Sequence, residues 1–215
     1  MNQPLAKQAY GKIIEMILSG MLTPGDVLQE ARLGELLDMS RTPVREAIKR
    51  IEAEGLALQD GRFLKVRQLS AEEVEEIFFL RGILESHCAR QATSLPSAVL
   101  DALEARVLHL RDHGPGDEDE QRSVDDELHR TFASSGGSSM MVSTIDDLRR
   151  RTCMFDHTQV PARFLKSCDE HLGIIAALRN ADGERAGALM TAHITNARDA
   201  ILARLETSAK RSRDK

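Results

Sequence analysis

The chain predicts a mainly α protein, an N-terminal winged helix-turn-helix followed by an all-α antiparallel helical bundle. Three observations carry this. Ser40-Arg41-Thr42-Pro43-Val44-Arg45-Glu46-Ala47 opens an amphipathic helix with cations on one side. Asp60-Gly61 separates two short strand-like runs. Beyond residue 68 apolar residues recur at helical spacing, Pro and Gly fall mostly between the periodic segments, and no convincing strand alternation occurs.

The elements follow in order. Residues 10–19 form a first helix with Ile13, Ile14, Ile17 and Leu18 as its apolar positions. Met21-Leu22-Thr23-Pro24-Gly25 is a turn, because Pro and Gly follow each other. Residues 30–37 make a short second helix, and Asp38-Met39 is the tight turn into the third. Ser40 is an N-cap, and Pro43 falls in the first turn, where a missing N–H costs little. At 100° per residue, Val44, Ala47, Ile48 and Ile51 share one flank, while Arg41, Thr42, Arg45 and Lys49 occupy the adjoining quadrant. Arginines one turn apart near a helix N-terminus can enter a major groove and bond guanine edges or phosphates. Glu54-Gly55 stops that helix, and residues 56–59 and 62–66 form a hairpin about Asp60-Gly61.

Gly20 to Leu56, with its Pro-Gly turn, S-R-T-P-V-R-E-A helix and closing Glu54-Gly55-Leu56, resembles the DNA-binding domain of GntR-type bacterial transcription regulators. The resemblance implies that Ser40, Arg41, Thr42, Arg45 and Lys49 face DNA. It makes the hairpin a wing, with Arg62 near its tip. Gly34 departs from the family's usual Ala and should soften the second helix slightly.

The chain has 215 residues, enough for two domains. Residues 1–68 are read as the DNA-binding domain, 69–207 as an effector-binding, metal-binding and dimerisation domain, and 208–215 as a disordered tail. The net charge of −5 is unevenly divided. Residues 1–68 carry ten Lys/Arg against nine Asp/Glu, net +1, and the remainder nineteen against twenty-five, net −6. Local cation placement matters more for DNA than the total, so this balance does not exclude a nucleic-acid partner. No signal peptide or apolar run near the ~20 residues of a membrane span is visible, so a cytoplasmic protein is expected. Cys88, Cys153 and Cys168 are far apart, form no CxxC, and read as buried free thiols.

Ser70-Ala71-Glu72-Glu73 is a capping box opening a helix to residue 93. Its stripe is Ile77, Leu80, Leu84, Cys88 and Ala92, with Arg81 projecting among them and Glu85 one turn on. Two readings stand: an Arg81–Glu85 pair along the helix, or an arginine held inside to meet a ligand carboxylate. Arg149 is a second candidate for that role. Further helices are expected over 95–110, 121–133, 138–155, 161–180 and from Gly183 to 205. Asp117-Glu118-Asp119-Glu120 is read as a solvated acidic loop.

Asp125 and His129 lie four apart on the face of Leu128 and Phe132, pointing toward the core. His171 is nine residues before Asn180, and His193 eleven after Asp182. In an antiparallel hairpin both stand roughly 14–16 Å from the turn, side by side. Interior imidazoles and a carboxylate are costly without partners, and one metal ion would satisfy all four. Hydrogen-bonded core histidines are the plainer alternative. His109 and His113 flank a Gly-Pro-Gly loop and read as exposed, and His87 and His157 have no comparable setting.

Asp125-x3-His129, Glu170-His171 and Ala192-His193-Ile194 resemble the ligand-sensing (FCD-type) domain of FadR-like GntR regulators. The Arg81-x3-Glu85 pair fits the same pattern, whereas Ser138 stands where these domains often carry Asn. The resemblance implies a divalent metal on Asp125, His129, His171 and His193. Three imidazoles and a carboxylate suit Zn²⁺ first, with Ni²⁺, Mn²⁺ or Fe²⁺ as alternatives. It also implies a homodimer on a palindromic operator, repressing until a small carboxylate effector binds near Arg81 and Arg149. Two other classes fit the same residues: a metalloenzyme, for which no obvious general base accompanies the ligands, and a DNA-binding protein whose metal is only structural.

Overall fold

The computed structural model describes residues 4–18, 20–67, 69–114, 118–156 and 163–213. The chain divides into two compact units, Met1–Leu69 and Ser70–Lys215.

In the first unit α1 (Leu5–Leu18), α2 (Glu30–Leu37) and α3 (Arg41–Ala53) enclose an apolar core that includes Ile13, Leu33, Val44, Ile51 and Leu56. α1 starts earlier than residue 10: the Pro4 carbonyl accepts from the N–H groups of Lys7 and Gln8, and buried Ala9 extends the packed face. Ser19, its expected end, lies outside the described residues. α2 stops at Asp38, whose backbone is left-handed (φ 52°). The Met39 N–H then donates to the Gly34 carbonyl at 2.9 Å. A Cβ at Gly34 would sit 2.9 Å from the Met39 carbonyl oxygen. Gly34 therefore does more than soften α2; it lets the turn fold back closely.

β1 (Ala57–Asp60) pairs antiparallel with β2 (Phe63–Val66), Asp60 opposite Phe63. The two turn residues are thus Gly61 and Arg62, not Asp60 and Gly61. Gly61 takes the positive φ (59°), while Lys65 Nζ holds the Asp60 carboxylate at 2.6 Å. The segment after the Pro24-Gly25 turn adds a further edge. Leu28 N–H donates to the Leu64 carbonyl and Val66 N–H to the Asp26 carbonyl, both at 2.8 Å, with a bridge between Val27 and Lys65. The sequence signals only a turn there, because two alternating residues carry too little periodicity to reveal a strand.

The second unit contains α4 (Ala71–Gln91), a 3₁₀ turn (Ala92–Ser94), α5 (Ser97–His113), α6 (Glu118–Ser135), α7 (Ser139–Asp156), α8 (Phe164–Arg179) and α9 (Gly183–Arg213). The capping box of α4 forms as expected: Ser70 Oγ accepts from Glu73 N–H, and a Glu73 carboxylate oxygen accepts from Ser70 N–H. α4 packs against α6, α7 and α9, and α8 against α5 and α9. At the α4–α9 contact a Cβ on Gly183 would lie 2.5 Å from the Arg90 carbonyl oxygen.

Several boundaries move for local reasons. α5 begins after Pro96, which occupies the N-cap in an extended conformation. Glu118 to Glu120 belong to α6 rather than to a loop; Asp117 lies outside the described residues. α9 continues to Arg213, beyond the 205 expected, since its last turns contain no Gly or Pro. It thereby takes in most of the 208–215 stretch. Pro161, expected to start α8, and His157 lie outside the described residues, as do residues 214–215 and the Cys153 side chain. Cys88 and Cys168 are free and buried.

The face of α4 also differs. Leu80, expected inside, is 46% exposed beside Phe79 (66%) and Ile83 (52%). Ile77, Arg81 and Cys88 face inward as expected, joined by Val74, Phe78 and Glu85. A helix apolar on nearly every side gives periodicity no single face to select.

Candidate nucleic-acid face and metal centre

α3 separates its two flanks as its sequence requires. Val44, Ala47, Ile48 and Ile51 are buried, whereas Ser40, Arg41, Thr42, Arg45 and Lys49 are exposed. Ser40 occupies the N-cap with extended φ/ψ, but its side chain makes no capping bond. Arg50, on the same helix, is exposed as well but is engaged by protein groups. It stacks over the Tyr10 ring at 4.0 Å and pairs with Glu54 at 3.0 Å, while the Tyr10 hydroxyl also donates to Glu54. Arg62 is exposed on the hairpin turn, 4.9 Å from the Phe63 ring centroid.

In the helical unit Asp125, His129, His171 and His193 converge. Each offers one ligand atom, and these atoms all lie within 4.8 Å of one another. Asp125 and His129 come from α6, His171 from α8 and His193 from α9. The hairpin turn between α8 and α9, with Ala181 at φ 54° and Asp182 capping Arg185 N–H, sets the two helices in register. His171 Nε2 stands 3.3 Å from His193 Nε2 and 3.4 Å from Asp125 Oδ1, and His129 Nε2 is 3.8 Å from that oxygen. Donors about 2.0–2.2 Å from a common ion lie roughly 3–3.5 Å apart. His129 Nε2 is buried and has no hydrogen-bond partner. A bare ring nitrogen aimed among three other donors is what a ligand position requires, so the residues fit a divalent cation. Burial above all, then the neighbouring charge of His193, pushes His171 well below its ordinary value, and burial followed by Arg149 lowers His129.

Around the cluster lie charged groups that sequence reading placed only in part. Glu85 is buried against Arg81, whose Nε donates to it at 2.7 Å; its other oxygen meets His129 Nδ1. Burial acts to raise the Glu85 carboxyl, but Arg81, then His129 and Arg149, overcome it and hold it well below the usual carboxylate range. Arg81 also donates to Thr152 Oγ1 at 3.3 Å and lies over the Phe78 ring at 4.7 Å. The bland Arg81–Glu85 pair is thus formed, with the guanidinium fork turned to protein groups. Arg149 is likewise engaged, with Nη2 2.5 Å from Asp125 Oδ2 and 2.8 Å from Asp126 Oδ1. Glu170 accepts from His193 Nδ1 at 2.8 Å, Arg163 Nη2 at 2.6 Å and Asn196 Nδ2 at 2.7 Å. Burial opposes its ionisation, but the bonds from His193 and Arg163 hold it down to about 2. Arg163, Asp126 and Asn196 gave no sequence signal, because nothing in a helical period distinguishes an outer polar partner from a solvated surface residue.

A cavity of about 20 Å³ opens beside the cluster, lined in part by Asp125, His171, Cys168, Gln121 and Phe164. Neither Arg81 nor Arg149 lines it. Burial foremost, then Asp169, pushes the Cys168 thiol up to about 11. His109 and His113 stack on each other at the surface, and His87 is exposed.

A three-helix unit that carries arginines outward on its third helix and ends in a β-hairpin defines a helix-turn-helix transcription regulator. The chain belongs to the GntR family of bacterial regulatory proteins in its FCD-containing form. The GntR model matches residues 5–63 and the FCD domain model residues 76–196. Among curated relatives, the chain is 27% identical over 208 residues to the HTH-type transcriptional repressor RspR of Escherichia coli K12, covering 93% of this chain and 90% of that protein. It is 28% identical over 192 residues to the Nta operon transcriptional regulator of Aminobacter aminovorans, covering 87% and 90%. Its fold is similar to that of E. coli McbR/YncC, with a TM-score of 0.77 and 22% identity over 95% of this chain and all of that one. These relatives are regulators rather than enzymes, which removes the metalloenzyme alternative. No helix among the described residues is long and apolar enough to cross a membrane.

Proposed function

We propose that this protein is a cytoplasmic, homodimeric repressor whose grip on a palindromic operator is released by a small organic acid bound at a metal in the helical unit. The observation that carries the reading is the convergence of Asp125, His129, His171 and His193 with His129 Nε2 left bare. These four residues would hold the cation, Zn²⁺ first and Ni²⁺, Mn²⁺ or Fe²⁺ otherwise. When bound, the cation supplies a Lewis-acid position for a carboxylate oxygen.

Charge balance favours an anion there. Buried Arg81 and Arg149 are matched by Glu85 and Asp125, and Arg163 by Glu170, so a divalent cation leaves the interior positive, with the outward carboxylate of Asp126 nearby. An entering acid has Arg149 at hand, because its partner Asp126 is largely exposed and can yield its place. Arg81 would follow only by releasing Thr152.

On the DNA side, Arg41, Thr42, Arg45 and Lys49 are the groove-facing set. The uncapped Ser40 hydroxyl and the α3 N-terminus suit a phosphate, and Arg62 suits the backbone beside the wing. Phe79, Leu80 and Ile83, exposed together on α4, support a second copy of the chain as the partner that brings two such helices to one palindrome.

A second reading is favoured by the small cavity and by the engagement of both arginines. In it the metal only braces the bundle and no effector exists. Thermal unfolding of the Zn²⁺-loaded protein across a panel of small carboxylic acids separates the two. A stabilising acid that also lowers affinity for a duplex selected in vitro supports regulation. If every acid leaves both unchanged, the structural reading stands instead.

A further inference from the structure

We infer that Glu85 and Glu170 are positioning residues that hold His129 and His193 with their Nε2 atoms turned to the shared cation site, and that Arg149 does the same for Asp125. The inference rests on the metal reading above and concerns residues that reading does not use.

A histidine binds a cation through a bare ring nitrogen, so its other nitrogen must carry the proton and needs an acceptor. A carboxylate in an ion pair only accepts. Glu85 is such a carboxylate, bound to Arg81 Nε at 2.7 Å through Oε1, and its Oε2 faces His129 Nδ1. That contact makes Nδ1 the donor and explains why the buried Nε2 is bare. Glu170 repeats the arrangement with different supports. Its Oε2 takes His193 Nδ1 at 2.8 Å, and Arg163 and Asn196 clamp the carboxylate from two further directions. Arg163 Nη2 also lies 3.4 Å from His193 Nδ1, but it has only donors to offer, and the shorter contact is with Glu170. His193 Nε2 is then the nitrogen facing His171. Asp125 divides its oxygens in the same sense: Oδ1 faces the histidines, and Oδ2 receives Arg149.

Every support crosses between helices. Glu85 on α4 orients a ring on α6, Glu170 on α8 a ring on α9, and Arg149 on α7 the carboxylate on α6. A pair that merely stabilised the bundle would not need its second oxygen aimed at a ring nitrogen. Here both glutamates meet Nδ1 of a different ligand histidine.

The test uses the full-length protein, with Zn²⁺ affinity read by competition against a chromophoric chelator. Ring tautomers are read by ¹⁵N correlation spectra of the chelated protein. Glu170→Met, which removes the acceptor, is expected to weaken Zn²⁺ about 10–100-fold. It should also shift His193 from the Nδ1–H tautomer to a mixture. Glu170→Gln, which keeps an acceptor oxygen, should recover part of the affinity. Glu85→Gln should act likewise on His129; if burial prevents that variant from folding, the Glu170 pair decides alone. Zn²⁺ affinity within about twofold of native in Glu170→Met, with an unchanged His193 tautomer, would overturn the inference while leaving the metal reading intact. Native protein whose Zn²⁺ binding is absent, or is indifferent to His171→Ala, overturns both.

Discussion

The two units of this chain place their polar chemistry in opposite ways. In the first, the core is apolar, and the cations of α3 stand in solvent. In the second, three imidazoles, two arginines and a glutamate are buried among apolar side chains. An exposed cation can be removed with little effect on folding, because water satisfied it before and its absence leaves nothing unpaired. A buried ion cannot, since its partner is stranded in a medium that penalises it. Binding and stability should therefore separate in the first unit and move together in the second.

The largest expected effect is on the buried pair. Arg81→Met should destabilise the helical unit by about 3–5 kcal/mol, because Glu85 is left charged beside His129. The double variant Arg81→Met, Glu85→Leu should regain much of that stability in thermal unfolding yet not recover Zn²⁺ affinity. Recovery of both would make the pair purely structural and weaken the contrast between the units.

Removal of the metal comes next. With Zn²⁺ a thousandfold above its dissociation constant, binding adds about 4 kcal/mol. Chelation, or His171→Ala in the presence of Zn²⁺, should lower the unfolding temperature of the helical unit accordingly. An unfolding temperature indifferent to chelator would leave the cluster as hydrogen-bonded core histidines.

Arg41→Ala and Arg45→Ala should each weaken binding to an in vitro-selected duplex by about 1–3 kcal/mol if the side chain makes a bidentate guanine contact. Their thermal unfolding should stay within about 0.5 kcal/mol of native. A large loss of stability in either would contradict their placement on a solvent-facing flank. Gly34→Ala should show the reverse, a loss of about 1–3 kcal/mol through the close turn, with DNA affinity falling only as the folded population falls.

The smallest effect is on pH. His129 and His171 are lowered from the ordinary value of 6.5, chiefly by burial. Below that pH the unfolded chain takes up protons that the folded interior refuses. Stability is thus fully present above 6.5 and falls as the pH drops below it. Glu85 and Glu170, lowered from 4.5, add a second loss below that value. Unfolding temperature measured from pH 7.5 to 4.5 checks the first of these. A flat profile would mean that the histidines are not held neutral.

Much of this was legible in sequence where one residue type meets one local demand. The α3 flanks follow from period alone, the capping box of α4 from its serine and glutamate, and the matched depths of His171 and His193 from counting to Asn180 and Asp182. Local structure that depends on close approach was not legible. Gly34 is a weakness by helix propensity alone but a necessity beside the Met39 carbonyl, and the hairpin turns at Gly61-Arg62, one residue later than the Asp60-Gly61 signal.

The sequence by itself determined which residues are apolar, which helices they form and which four side chains could share an ion. Apolar periodicity and depth along a helix are local properties and need no distant partner. Only the tertiary structure decided that Leu80 faces outward, that Arg81 and Arg149 are bound to Glu85 and Asp125, and that Glu170 faces His193 rather than solvent. Those outcomes depend on helices far apart in the chain meeting at a given rotation, and helical periodicity fixes a face but not what is set against it.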